Sequence, residues 1–317
     1  MRKNDAIGWR RHQFILLCAL VLILPLALSS GYFYRVAALI WMFGLAAVGL
    51  NVLMGQAGQV SLGHAGFIGI GSYAVALLPP HLGISAIWSV MIGAFISAVL
   101  AYAVGVAVLK LKGHFLSIAT LGVGTLIALV ILTEARWTGG PDGMPVQPLA
   151  IFGEQITTAK QWYWISGIVL LIGVRLALNL ERSPTGRAMH ALRDSEVAAE
   201  VAGIDAGRYK VCAFVLAAIY ASVTGSMIAL MNLFITPDQA GFLQSIELLM
   251  MVIIGGMGSA IGSVAGAAVI VILPQLLTVL HDYEQLVLGM ILMLVVGFFR
   301  KGIAGGISSI FSKMERK

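Results

Sequence analysis

The run Val36-Ala-Ala-Leu-Ile-Trp-Met-Phe-Gly-Leu-Ala-Ala-Val-Gly-Leu-Asn-Val-Leu-Met54 contains no charged residue and decides the fold class. It is long enough to cross a hydrocarbon core as a helix, which takes roughly 17–25 residues. Similar runs recur along the chain: ten candidate spans lie at 14–31, 36–54, 63–79, 85–109, 115–133, 162–180, 211–233, 241–257, 262–280 and 283–299. The third, eighth and ninth are short or glycine-rich, so the count falls between eight and ten. Composition agrees. Of 317 residues 59% are hydrophobic and 11% charged, against roughly 25% charged in an ordinary soluble domain. So few charges cannot cover a water-facing surface. In lipid the backbone must satisfy itself, which leaves helices or closed barrels, and long unbroken runs exclude the short alternating strands of a barrel. The expected fold is an all-α, polytopic transmembrane bundle of about ten spans.

Charge orients it. Basic residues accumulate in cytoplasmic loops. With a cytoplasmic N-terminus, that side holds Arg2, Lys3, Arg10, Arg11, Lys110, Lys112, Arg182, Arg187, Arg193, Arg208, Lys210, Arg300, Lys301, Lys313, Arg316 and Lys317, sixteen of the 20 Lys and Arg. Arg35, Arg136 and Lys160 fall outside, and Arg175 lies within a span where snorkelling accounts for it. Both termini are therefore expected in the cytoplasm: segment 1–13 precedes a membrane domain over 14–299, and 300–317 is a basic cytoplasmic tail. The run Phe14–Ser30 exceeds the apolar core of a secretory signal and reads as a retained first helix. Cys18 and Cys212 lack paired spacing and read as packing residues.

Two loops can hold structure. The outer one, 134–161, is turn-rich. The inner one, 181–210, has a helix start at Ser183-Pro184, helix formers over Ala188–Ala202 and a stop at Gly203. Read physically, it is either a short amphipathic helix whose small residues Ala198, Ala199 and Ala202 admit a partner's groove, or a connector laid on anionic lipid.

Most of the 37 glycines suit close helix packing in lipid. Two clusters stand at breaks between short apolar segments: Gly55, Gln56, Gly58, Gln59, Ser61, Gly63, His64 and Gly66, and then Gly255, Gly256, Gly258, Gly262 and Gly266. Paired interruptions of this kind point to broken helices that line a substrate path. His64 lies among polar neighbours at membrane depth, where such groups mark pathways; the blander reading is a satisfied interhelical histidine. Glu247 reads as an interfacial carboxylate, as a contact near that path or as a docking partner for an outside protein. No nucleophile elbow, zinc-protease helix or phosphate-binding loop occurs, so no chemistry is expected of the chain.

The chain resembles the permease subunits of branched-chain amino-acid ABC importers of the LivM type. The likeness covers nearly the whole length. It is carried by Gly49–Gly66, Gly113-His-Phe-Leu-Ser-Ile-Ala-Thr-Leu-Gly122, Trp137-Thr-Gly-Gly-Pro-Asp-Gly143, Ser183-Pro-Thr-Gly-Arg187, Ala191-Leu-Arg-Asp-Ser-Glu196 and Ile253-Ile-Gly-Gly-Met-Gly-Ser259, in order. The resemblance implies a bacterial inner-membrane permease paired with a homologous LivH-type subunit. Two ATPase subunits, which use ATP and magnesium, and a periplasmic solute-binding protein would complete it; this chain would bind no cofactor and no nucleic acid. It also implies that the inner loop is a coupling helix docked on an ATPase, through Arg187, Arg193, Glu196, Ala198, Ala199, Glu200 and Gly203. Aligned on Gly203, the importer pattern E-A-A-x-x-x-G finds Ala198 and Ala199, but Val197 stands where the Glu would be and Glu196 is one place early. Branched-chain amino acids are the expected cargo. Sister permeases for urea, short amides or aromatic acids share the motifs, and a secondary transporter would place more ionisable residues in mid-membrane.

Overall fold

The computed structural model describes residues 3–108, 114–151, 153–276 and 289–290. The expected span 283–299 and the basic tail therefore lie outside the described residues, apart from Gly289 and Met290. The chain is a polytopic, mostly helical bundle with about six membrane-spanning helices. Among the described residues these are Gly31–Gln56, His64–Leu82, Ala86–Val108, Phe115–Thr133, Ala159–Arg182 and Ala206–Asn232. Three shorter apolar helices, His12–Ala27, Phe242–Gly255 and Ala260–Gln275, occupy other segments that the hydropathy marks as spans.

In chain order the helices are α1 (Lys3–Ala27), α2 (Gly31–Asn51, extended by a π turn Val52–Gln56), α3 (His64–Leu82), α4 (Ala86–Val108), α5 (His114–Thr133), α6 (Ala135–Thr138), α7 (Ala159–Arg182), α8 (Pro184–Asp194), α9 (Glu196–Val201), α10 (Ala206–Asn232), α11 (Phe242–Gly255) and α12 (Ala260–Leu276). Helix α1 begins at Lys3 rather than at the start of the apolar run, Phe14. The connections after α6 and α10 carry two small antiparallel pairings. Strand β1 (Met144–Pro145) meets β4 (Phe234–Ile235), and β2 (Leu149–Ile151) meets β3 (Glu154–Ile156).

Helices α2, α3 and α10 form the centre because their facing residues are small. A Cβ on Gly71 of α3 would fall 1.9 Å from the Ser222 carbonyl oxygen of α10, and one on Gly225 would fall 2.0 Å from the Ile68 carbonyl oxygen. Such approaches let dispersion and hydroxyl hydrogen bonds hold helices together where lipid removes the hydrophobic drive. Ser226 Oγ donates to the Gly71 carbonyl (2.9 Å) and Thr224 Oγ1 to the Met42 carbonyl (3.0 Å), each reaching from α10 to a neighbouring helix. Helix α7 packs along α2, and α1 lies on α7, where Tyr163 donates to the Val21 carbonyl at 2.7 Å. The outward faces of α4 and α5 remain apolar and exposed, through Phe95, Tyr102, Phe115 and Leu126, as lipid-facing surfaces are. Arg175 projects outward on α7 with its guanidinium over the Phe14 ring. Cys18 and Cys212 are unpaired.

Helix α11 is shorter than a membrane. Fourteen residues in α11 give about 21 Å at 1.5 Å per residue, short of the ~30 Å hydrocarbon thickness. It forms an antiparallel hairpin with α12 against α2, and the hairpin's turn falls in the second glycine cluster.

Candidate functional site

Helix α2 does not stop cleanly. Its final turn widens into the buried π turn Val52–Gln56, a form that recurs at functional sites. The chain then runs irregularly to Gly63, with Gly58 in the left-handed region (φ 69°). Helix α5 supplies partners for this unwound backbone: Thr120 Oγ1 accepts from the Leu62 amide (3.2 Å) and Ser117 Oγ donates to the Val60 carbonyl (3.2 Å). A Cβ on Gly63 would fall 1.9 Å from the Thr120 carbonyl oxygen, so only glycine allows α5 this close. Gln56 is buried, Gln59 is half-buried and Gly58 is exposed. His64 is the first residue of α3 and is 1% exposed. Its Nδ1 lies 2.8 Å from Ser61 Oγ, and its ring stands edge-on to Phe67 and Phe214. The next amide, of Ala65, donates to Ser245 Oγ of α11 (3.1 Å).

The second break lies directly against the first. Helix α11 ends at Gly255, Gly256 (φ 103°) and Gly258 (φ 91°) turn the chain, and α12 starts at Ala260. Asn51 of α2 joins the two. Its Oδ1 accepts from the Gly258 amide (2.8 Å) and its Nδ2 donates to Ser263 Oγ (2.8 Å), in a site where the side chain is 3% exposed. There is no room for side chains at the junction. A Cβ on Gly55 would lie 2.1 Å from Asn51 Oδ1 and 2.4 Å from the Gly258 nitrogen, and one on Gly255 would lie 2.2 Å from the Gly262 carbonyl oxygen.

The 183–205 loop covers this junction. Ser183 caps α8 by accepting from the Gly186 amide (3.1 Å), with Pro184 at the first helical position. Ser195 is extended and caps α9, accepting from the Ala198 amide (3.3 Å), and Gly203 (φ 84°) turns the chain toward α10. Leu192, Ala199 and Ala206 form a small buried cluster that fixes the loop. Glu196 forms an ion pair with Lys210 of α10, at 2.8 Å. Val197, 67% exposed, and Val201, 86% exposed, stand at i, i+4 on the free face of α9. Ala198 and Glu200 are also exposed. At the end of α8, Arg193 Nη1 donates to the Gly55 carbonyl.

The structure thus brings Gly55, Gly58, Gly258 and Arg193 into one junction. Gly66 instead packs against α5, at Gly124 and Ile127. Glu247 accepts from Gln244 of its own helix (2.9 Å), and Arg187 donates to the Arg182 carbonyl (2.9 Å). Ala199 faces inward, whereas Val197, Ala198 and Val201 face outward. Sequence reasoning passed over Asn51, Thr120, Ser245 and Ser263, and counted Lys210 only as an orienting charge. The available signal was a polar side chain inside an apolar run. Among the described residues no group of three or more His, Cys, Asp or Glu side chains could hold a metal ion.

A family model described as "Branched-chain amino acid transport system / permease component" matches residues 32–296. The chain is 29% identical over 313 residues to the high-affinity branched-chain amino acid transport system permease protein LivM of Escherichia coli (strain K12), covering 90% of this chain and 73% of that protein. It is 24% identical over 290 residues to the corresponding permease protein LivH of Salmonella typhimurium, covering 83% and 91%. It is 25% identical over 284 residues to the permease protein BraD of Pseudomonas aeruginosa, with the same two coverages of 83% and 91%. No solved structure matches.

Proposed function

We infer the function from one premise: this chain belongs to the family of branched-chain amino-acid transport permease components. It is a multi-pass, non-catalytic membrane permease component of an ABC import system for branched-chain amino acids or related solutes. The family implies a paired permease and the other ABC components.

Beyond that, we propose a bacterial inner-membrane hetero-dimer of this chain with a LivH-type permease. Both termini and the 181–210 loop lie in the cytoplasm. Two ATPase subunits dock from that side, and a periplasmic solute-binding protein delivers leucine, isoleucine or valine from the other. The observation that carries the docking is the free face of α9. Val197 and Val201 are exposed side by side on a helix whose opposite side is fixed by Ala199 and by the Glu196–Lys210 pair. Exposed aliphatic residues on a braced short helix suit a groove in another protein. The path itself is proposed beside the two glycine breaks, where Gln59 is half-buried and Gln56, Ser61 and His64, buried in the present arrangement, would offer dispersed polar groups to a zwitterion once the breaks open. The 1–13 segment, the 14–299 membrane domain and the 300–317 tail are proposed as its three regions.

ATP-dependent uptake of labelled leucine, urea and benzoate into proteoliposomes, each with its matching binding protein, tests the substrate. Leucine uptake is the expected result, and uptake of urea or benzoate alone would assign the chain to a sister permease. For the docking, Val201→Glu leaves the chain folded because the side chain faces water. It is expected to reduce recovery of the ATPase subunits with the purified permeases. Undiminished recovery would remove α9 from the interface.

A further inference from the structure

One arginine lies against both glycine breaks. Arg193 stands in the last turn of α8, in a segment that continues through Ser195 into the exposed α9. Its Nη1 donates to the Gly55 carbonyl in the π turn that ends α2. Carbonyls in a helix's last turn have no intrahelical partner, and the helix dipole favours a cation there. Here the cation comes from a different element. The backbone of Gly58 lies over the Arg193 stem: a Cβ there would be 3.3 Å from Arg193 Cα and Cγ. A Cβ on Gly258, in the turn between α11 and α12, would be 3.2 Å from the same Nη1. Arg193 is otherwise exposed, so its head can leave the carbonyl for water without the desolvation cost a buried charge carries.

We propose that Arg193 is a releasable positioning latch: it passes displacement of the α8–α9 loop directly to the two glycine breaks, holding them in the present arrangement while bonded and freeing them when the loop moves. The inference rests on the reading of this chain as an ATPase-docked permease. A glycine-rich junction has little side-chain packing of its own to hold its shape, so a charge-assisted bond to a backbone carbonyl adds to the Asn51 bridge in setting it. A residue that only capped α2 would affect stability and assembly. A latch would in addition set how well ATP hydrolysis is coupled to transport.

The test uses the complete transporter in proteoliposomes and compares Arg193→Gln and Arg193→Lys with the wild type. Recovery of the assembled complex is expected to be unchanged. Leucine taken up per ATP hydrolysed should fall about tenfold or more in Arg193→Gln, within the range of ordinary site-to-site coupling, and Arg193→Lys should restore part of it. An unchanged ratio, or a loss of assembly that accounts for the whole effect, would overturn the latch. Wild-type complex that takes up no leucine would instead refute the substrate reading. Hydrogen exchange on the purified complex then decides the latch without transport: amides 56–61 and 257–259 should exchange faster in Arg193→Gln while those of α10 stay protected. Unchanged exchange at both breaks overturns it.

Discussion

Replacing Asn51 with alanine should loosen the α11–α12 hairpin from α2, and the structure gives the size of the effect. The side chain is almost fully buried and makes two bonds of 2.8 Å, accepting from the Gly258 amide and donating to Ser263 Oγ. Loss of the acceptor strands a backbone amide, which costs about 1–3 kcal/mol when buried. Loss of the bond to serine costs less, since interhelical hydrogen bonds in membranes average about 0.6 kcal/mol. Ser263 also keeps a second acceptor, the Ser259 carbonyl at 3.2 Å. Asn51→Ala should therefore destabilise by about 2–4 kcal/mol and Ser263→Ala by only about 1 kcal/mol. The assay is denaturant unfolding of the purified permease pair, followed by tryptophan fluorescence, for both single variants and the double. The double variant should cost less than the sum by at least about 0.5 kcal/mol, as directly contacting residues do. Equal costs for the two single variants, with additivity in the double, would show that Asn51 does not bridge the breaks.

Gly71→Ala should abolish stable expression, because its Cβ would meet the Ser222 carbonyl oxygen at 1.9 Å, whereas nothing lies within 4 Å of a Cβ on Gly122 and Gly122→Ala should leave the chain folded; detergent-solubilised yield on size-exclusion chromatography compares them, and equal yields would refute the packing. Removing the charge of Glu196 deprives Lys210, 3% exposed, of its carboxylate. A broken buried pair costs about 3–5 kcal/mol, while the partly exposed Glu196 can turn to water in Lys210→Met. Trypsin should accordingly cut the 183–205 loop faster in Glu196→Gln than in Lys210→Met, and the reverse order would count against the pair as the loop's anchor.

Hydropathy and punctuation are local properties, and they were legible. Long apolar runs with few charges mark the membrane helices from Gly31 onward. Ser183-Pro184 marks the start of α8, and Gly203 the turn after α9. The two glycine clusters mark where α2 gives way to α3 and α11 to α12, since glycine and unwound backbone go together. Among the described residues about six helices are long and apolar enough to span, fewer than hydropathy marks, because apolar character alone does not distinguish a crossing helix from a short arm such as α11. The resemblance implies a partner-facing Ala199, whereas the tertiary structure turns it inward onto Leu192 and Ala206. What only the tertiary structure decided is which polar group meets which. Asn51 finds Ser263 across 212 residues and Arg193 finds Gly55 across 138. No periodicity encodes such pairings; they follow from how closely helices with glycine faces approach, and from the cost of leaving a polar group unpaired between them.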